Sequence, residues 1–176
     1  MMAHLEQREF FERVKAMHPE FFIDRSVLDV GSLDINGTVR DFFTGGSYLG
    51  VDVAVGAGVD LVGFGQSLDF EDGSFDVCLS AECFEHNPEW VATFANMVRM
   101  CSGLVLMSCA TTGREEHGTS RCHPGSSPLT VGLWDYYRNL TEADFVAEFD
   151  LGDMFREWSF EVNEVSCDLY FVGFVK

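Results

Sequence analysis

Two residues 21 positions apart carry the clearest chemistry in this chain. Gly31 ends the apolar run Ser-Val-Leu-Asp-Val-Gly at 26–31, and Asp52 ends Tyr-Leu-Gly-Val-Asp at 48–52. A glycine closing a first strand lets a ligand approach the backbone closely. A carboxylate closing the second strand accepts hydrogen bonds from two adjacent ribose hydroxyls. The pair predicts a nucleoside-bearing cofactor held at the ends of neighbouring strands. The dinucleotide fingerprint G-x-G-x-x-G is absent, because Leu33 and Asn36 stand where its second and third glycines belong. Asp34 in the same turn would repel a pyrophosphate. A cofactor without phosphates fits better, which ranks a nicotinamide oxidoreductase low.

A third stretch extends the pattern: Leu-Asp-Phe-Glu-Asp-Gly-Ser-Phe-Asp-Val-Cys-Leu-Ser-Ala-Glu at 68–82, followed by Cys-Phe-Glu-His at 83–86. Together these segments resemble the class I S-adenosylmethionine-dependent methyltransferases, from about residue 26 to residue 90 and more weakly beyond. The resemblance implies S-adenosylmethionine as cofactor, S-adenosylhomocysteine as product, and no metal. It implies that Asp29, Gly31 and Ser32 surround the cofactor's amino-acid moiety and that Asp52 holds the ribose. Asn36 and Gly37 supply a later tight turn where the family has its second glycine. The acid that usually holds the adenine amino group aligns with Phe64, which either stacks on adenine or belongs to the core. Gly65 and Gln66 would give polar contacts there. Ser80 and Glu82, at the end of the fourth strand, complete the cofactor set, although Glu82 and Glu85 also suit a plain helix start.

Methyl transfer from a sulfonium is an in-line displacement, and a hydroxyl or ammonium nucleophile needs a base, most often His. His86, after the fourth strand, and His117 are the catalytic candidates. His123, Tyr136, Tyr137 and Arg138 lie in or just after a long irregular segment and are expected to shape the substrate pocket. No proline precedes a cysteine, so a cytosine-5 nucleophile is missing, and the Asn/Asp-Pro-Pro-aromatic motif of amino-group DNA enzymes is absent. A small-molecule or sugar-like acceptor, methylated on oxygen or nitrogen, is the expected substrate. The alternative is a methyltransferase fold kept as a catalytically inactive binding module, which Leu33 and Phe64 in the cleft would favour.

These residues need a scaffold, and the periodicity supplies one. Residues 3–17 place Phe10, Val14 and Met17 at helical spacing, giving a lead helix within 1–20. Strand-like runs fall at 26–31, 48–52, 59–62, 74–80 and 104–109. A helix is expected over 36–43, and another after Pro88 through Met100, with Cys101 on its apolar face. Residues 110–139 show no sustained period and carry Gly113, Gly118, Pro124, Gly125 and Pro128. A loop of that length in a compact domain points to function. A helix resumes after Thr141, and runs at 154–162 and 167–175 end the chain. The alternation predicts one α/β domain over 1–176: a doubly wound, Rossmann-like, mostly parallel sheet with an antiparallel C-terminal edge hairpin.

The 176 residues carry 11 Lys and Arg against 29 Asp and Glu, a net charge of −18. Such a chain repels polyanions, so nucleic acid and anionic membranes are not expected partners. No apolar run approaches the ~20 residues of a membrane span, and the first residues lack a signal-peptide core. The six cysteines show no C-x-x-C and no Cys/His ligand spacing, which suits buried thiols in the cytoplasm. Oligomeric state is not encoded in any of these features.

Overall fold

Phe10, Phe11 and Val14 recur at helical spacing and are buried on one face of α1 (Leu5–Met17). The computed structural model describes residues 5–176, so the expected start of this helix at residue 3 lies outside the described residues. Met17 was expected on the same face but is 63% exposed; it ends the helix, and Phe22, beyond the turn Pro19–Phe21, fills the core instead.

Seven strands form one sheet: β1 (Ser26–Val30), β2 (Ser47–Asp52), β3 (Leu61–Val62), β4 (Phe75–Ala81), β5 (Cys101–Ala110), β6 (Phe155–Asn163) and β7 (Asp168–Val175). Their order is β3-β2-β1-β4-β5-β7-β6. The pairs from β3 to β5 are parallel, whereas β7 runs antiparallel to β5 and β6 antiparallel to β7. This is the doubly wound, Rossmann-like sheet that the alternating pattern predicts, with its hairpin at the C-terminal edge. The inner strands β4 and β5 are apolar and buried almost throughout because packed layers cover both faces. One layer holds α2 (Trp90–Met100), α4 (Glu142–Glu148) and α5 (Leu151–Met154), and the other holds α1 with the turn Arg40–Phe42. Phe94 of α2 is fully buried, and its ring meets those of Phe84, Phe145, Phe149, Phe155 and Phe171.

Three expectations are corrected. The helix over 36–43 reduces to the single turn Arg40–Phe42. The Asp34 carboxylate accepts from the Gly37 N–H and the Thr38 hydroxyl from the Arg40 N–H, local bonds that compete with a helical backbone. The run at 59–62 pairs only at Leu61–Val62. Cys101 starts β5 instead of closing α2, pairing in register with Phe75. The irregular 110–139 segment contains only the turn Pro124–Ser126 and the short α3 (Pro128–Val131). As expected, α4 starts after Thr141, where the Asp144 carboxylate accepts from the Thr141 N–H and the Thr141 hydroxyl accepts from the Asp144 N–H, a reciprocal cap.

Candidate active site

From β1 the chain winds outward through β2, and from β4 it winds the opposite way through β5. The crevice between the carboxyl ends of β1 and β4 is therefore the switch point where such sheets bind ligands. A cavity of about 570 Å³ opens there. One wall comes from the strand ends, with Asp29, Gly31, Ser32, Asp52, Glu82 and Cys83; the other comes from the long segment, with Arg114, His117 and His123. Asn36 and Gly37 also line it, as does His86.

Gly31 is what lets the two strand ends meet. Its φ is +87°, and a Cβ there would stand 2.4 Å from the Cβ of Cys83. Asp52 clamps the adjoining turn: its Oδ2 accepts from the Leu33 N–H at 3.0 Å and its Oδ1 from the Val53 N–H at 2.7 Å. Burial raises its pKa, and the two N–H bonds oppose that rise. Asp29 accepts from the Tyr48 hydroxyl at 2.7 Å through Oδ2, while its Oδ1 is buried without a partner. Burial pushes the Asp29 carboxyl up to about 7. The buried Ser32 hydroxyl is also unpartnered.

Beyond Asp52 the crevice narrows to about 30 Å³, bounded by Val53, Gly65, Gln66, Asn87 and Trp134. Asn96 donates to the carbonyls of Gly65 and Leu68, which fixes the turn that carries Gln66. Phe64, expected either against adenine or in the core, lines neither cavity and is exposed; its ring lies 5.9 Å from that of Trp134, whose indole N–H is buried without a partner. Ser80 lines neither cavity, and its hydroxyl donates to the Val30 carbonyl at 2.7 Å, tying β4 to β1.

The opposite end of the large cavity holds a buried polar cluster. Glu82 follows β4 with φ +57°, a strained conformation for a side-chain-bearing residue, and its N–H donates to the Ser108 carbonyl. The turn Phe84–His86 then buries Glu85 and His86. All four carboxyl oxygens of Glu82 and Glu85 are buried without a hydrogen-bond partner, as is Nδ1 of His86. Oε1 of Glu85 stands 4.0 Å from Nε2 of His86 and 4.0 Å from Nε2 of His117. The two imidazole rings meet edge to face at 5.0 Å, and the Tyr137 ring packs on both. Gly118, at φ +64°, lets the loop press on His86: a Cβ there would be 2.5 Å from its Cε1. Burial raises both acids, Glu82 further through the charge of Glu85, and burial lowers His86 to about 4 and His117 in the same direction.

The remaining substrate candidates separate. His123 lines the cavity, at φ +45°. Tyr136, Tyr137 and Arg138 do not: the Tyr137 hydroxyl donates to the Asn139 side chain, and the Arg138 guanidinium pairs with Asp144. The Arg138 N–H donates to the Glu85 carbonyl at 2.9 Å, so this stretch braces the buried turn. Among the described residues, Glu85 and Cys83 border the site without having been singled out for it. The available signal was the spacing Glu82-x-x-Glu85-His86 directly after an apolar strand.

Residues 28–104 match the family described as "Methyltransferase domain". No curated protein sequence matches the chain significantly. Among solved structures, the Burkholderia thailandensis 1,6-didemethyltoxoflavin-N1-methyltransferase, bound to 1,6-didemethyltoxoflavin and S-adenosylhomocysteine, is similar with a TM-score of 0.62. The two are 16% identical, and the match covers 94% of this chain and 78% of that one. The YcgJ protein of Bacillus subtilis also gives 0.62, at 12% identity, over 94% and 98% of the two chains. Magnesium protoporphyrin IX methyltransferase of Synechocystis, with bound S-adenosylhomocysteine, gives 0.57 at 13% identity, over 98% and 88%. Residues 28–104 thus resemble that family, and the likeness to the solved structures shows the fold of the class I S-adenosylmethionine-dependent methyltransferases over nearly the whole chain.

The cleft fits that cofactor along most of its length. The orphaned Asp29 Oδ1 suits an ammonium, Gly31 lines the cavity beside it, and Asp52 keeps acceptor capacity for a diol. The narrow end fits less well, because only about 30 Å³ is open between Trp134, Gly65 and Gln66.

Proposed function

We propose that the chain is an S-adenosylmethionine-dependent methyltransferase of the cytoplasm, built as one domain and acting on oxygen or nitrogen of a small or sugar-like acceptor. The observation that carries this reading is the cavity at the switch point with Asp29, Gly31 and Asp52 in its wall. When bound, the cofactor supplies an electrophilic methyl on a cationic sulfur. Asp29 offers its unpaired oxygen to the cofactor's ammonium, and Asp52 offers its carboxylate to the ribose hydroxyls. His86 and His117, in the cavity wall, are the groups placed to take a proton from the acceptor. The walls hold both reactants together, and such orientation removes roughly 7–11 kcal/mol of a bimolecular barrier. A net charge of −18 disfavours polyanionic acceptors, and six free thiols suit a reducing compartment.

Binding of S-adenosylhomocysteine, followed by calorimetry, tests the reading. Asp52→Ala removes charge-assisted bonds to the ribose worth about 1.5–3 kcal/mol each, so affinity should fall at least tenfold. Unchanged affinity would remove Asp52 from the site and the reading with it. The second reading, an inactive binding module, rests on Trp134 in the narrow end of the cleft. Wild-type protein that binds the cofactor and transfers its methyl to any acceptor in a metabolite extract eliminates that alternative.

A further inference from the structure

Glu85, His86 and His117 offer one carboxylate oxygen and two imidazole nitrogens that all lie within 4.8 Å of one another. Carboxylates buried without partners are costly, and native folds satisfy them with donors or cations. Here, among the described residues, no cation and no well-aligned donor meets the carboxyl oxygens of Glu85, which is fully buried beside a second acid, Glu82, and the Ser108 hydroxyl near Glu82. We infer that these three side chains form a mononuclear site for a divalent first-row transition cation, with its open positions facing the cavity.

The geometry supports a metal over a simple hydrogen-bonded triad. At 4.0 Å, the Glu85 oxygen is too far from either imidazole nitrogen for a hydrogen bond. Tetrahedral ligands at about 2.1 Å from zinc stand about 3.4 Å apart, so small side-chain rotations close the set around an ion. Nδ1 of His117 lies 3.0 Å from the Glu115 carbonyl. Donating that N–H leaves the Nε2 lone pair directed to the site, the outer-shell arrangement characteristic of metal-binding histidines. Gly118 and the Tyr137 ring hold His86 in place from the loop side. Two imidazoles and a carboxylate favour zinc, iron(II), cobalt(II) or manganese(II) over calcium or magnesium.

His86, His117 and Glu82 also line the cavity, so the side opposite Glu85 is open to water or to an acceptor oxygen. An imidazole whose lone pair is on a metal cannot take a proton, so ligation replaces the base role of His86 and His117. This consequence rests on the methyltransferase reading; the ion site itself does not. An acceptor hydroxyl on the ion would lose its proton to solvent and attack the methyl carbon through oxygen. The carbon–sulfur bond breaks as the carbon–oxygen bond forms, giving a methyl ether, S-adenosylhomocysteine and one proton, with no change in metal oxidation state.

The test is titration of chelator-treated full-length protein with cobalt(II), read by visible absorption and by calorimetry, and repeated with zinc(II) and manganese(II). One equivalent should bind, with d–d bands of a four- or five-coordinate site. His117→Gln should weaken binding at least tenfold, whereas His18→Gln, at the distant end of α1, should leave it unchanged. Circular dichroism of His117→Gln checks folding, and Glu85→Gln provides a second variant that keeps the side-chain volume. No saturable binding of any of the three ions, or equal binding by wild type and both site variants, overturns the inference. S-adenosylhomocysteine affinity is measured on the same metal-free and loaded samples. Cofactor binding without ion binding discards the metal alone, and ion binding without cofactor binding discards the methyltransferase reading alone.

Discussion

The two walls of the large cavity are held by different kinds of contact. On the strand side, Asp52 binds the N–H groups of Leu33 and Val53, and the Gly31 N–H donates to the Val51 carbonyl at 2.8 Å. These are backbone-centred bonds within adjacent parallel strands and their turns. On the loop side, Arg114 reaches Asp168 across 54 residues, and Asn139 reaches the Arg114 carbonyl across 25. The strand wall is thus a consequence of the sheet, whereas the loop wall depends on individual side chains. A wall of the second kind can change its lining without disturbing the first.

The comparison breaks most visibly at Arg114. Asp168 is fully buried, and removing the cation beside it costs about 3–5 kcal/mol. Arg114→Ala should therefore lower the melting temperature by roughly 6–20 °C and speed proteolysis within 110–139. Cofactor affinity should fall much less, and a parallel collapse of both would show that the walls are not independent.

Asp29 gives the corresponding test of the strand wall. Its carboxyl binds a proton more tightly in the fold, at about 7, than in the unfolded chain, at 3.8. Folding stability should consequently decline as pH rises from about 4 to about 7, by up to about 4 kcal/mol from this group. Asp29→Asn should flatten that part of the profile in denaturant melts at several pH values. A cofactor ammonium beside Asp29 favours the carboxylate, so wild-type affinity should strengthen as pH rises through 7.

Trp134 belongs to the loop wall and intrudes on the narrow end of the cleft. Trp134→Ala should admit the adenine and tighten S-adenosylhomocysteine binding about tenfold, or ~1.4 kcal/mol. A tenfold weakening in the same titration would make the indole a stacking partner instead. The smallest effect is expected at Arg121, whose pairs with Glu116 and Asp135 are exposed. Arg121→Ala should change stability by less than about 1 kcal/mol, so a larger loss in thermal melts would mean that the surface pairs also hold the loop wall.

The strand wall and the sheet that carries it were readable from residue order alone, because each depends on short-range rules. Apolar runs of strand length, glycine at the end of the first and aspartate at the end of the second dictate local geometry whatever surrounds them. The helix expected over 36–43 failed for the same kind of reason: bonds from Asp34 and Thr38 back to the nearby backbone outweigh a weak helical period. Phe64 and Ser80 were placed at the cofactor by position, yet their orientation came from Trp134 and Val30, partners far along the chain.

Amino-acid order thus set the class of fold, the switch point and the glycine–aspartate pair that marks it, since these follow from periodicity and backbone conformation. The meeting of Glu85, His86 and His117 and the placing of Trp134 at the narrow end of the cleft arose only when the 110–139 segment folded back over the sheet. Contacts of that kind have no local periodicity to announce them. They exist because a buried ion pair between Arg114 and Asp168 and the close approach allowed by Gly118 hold distant residues together.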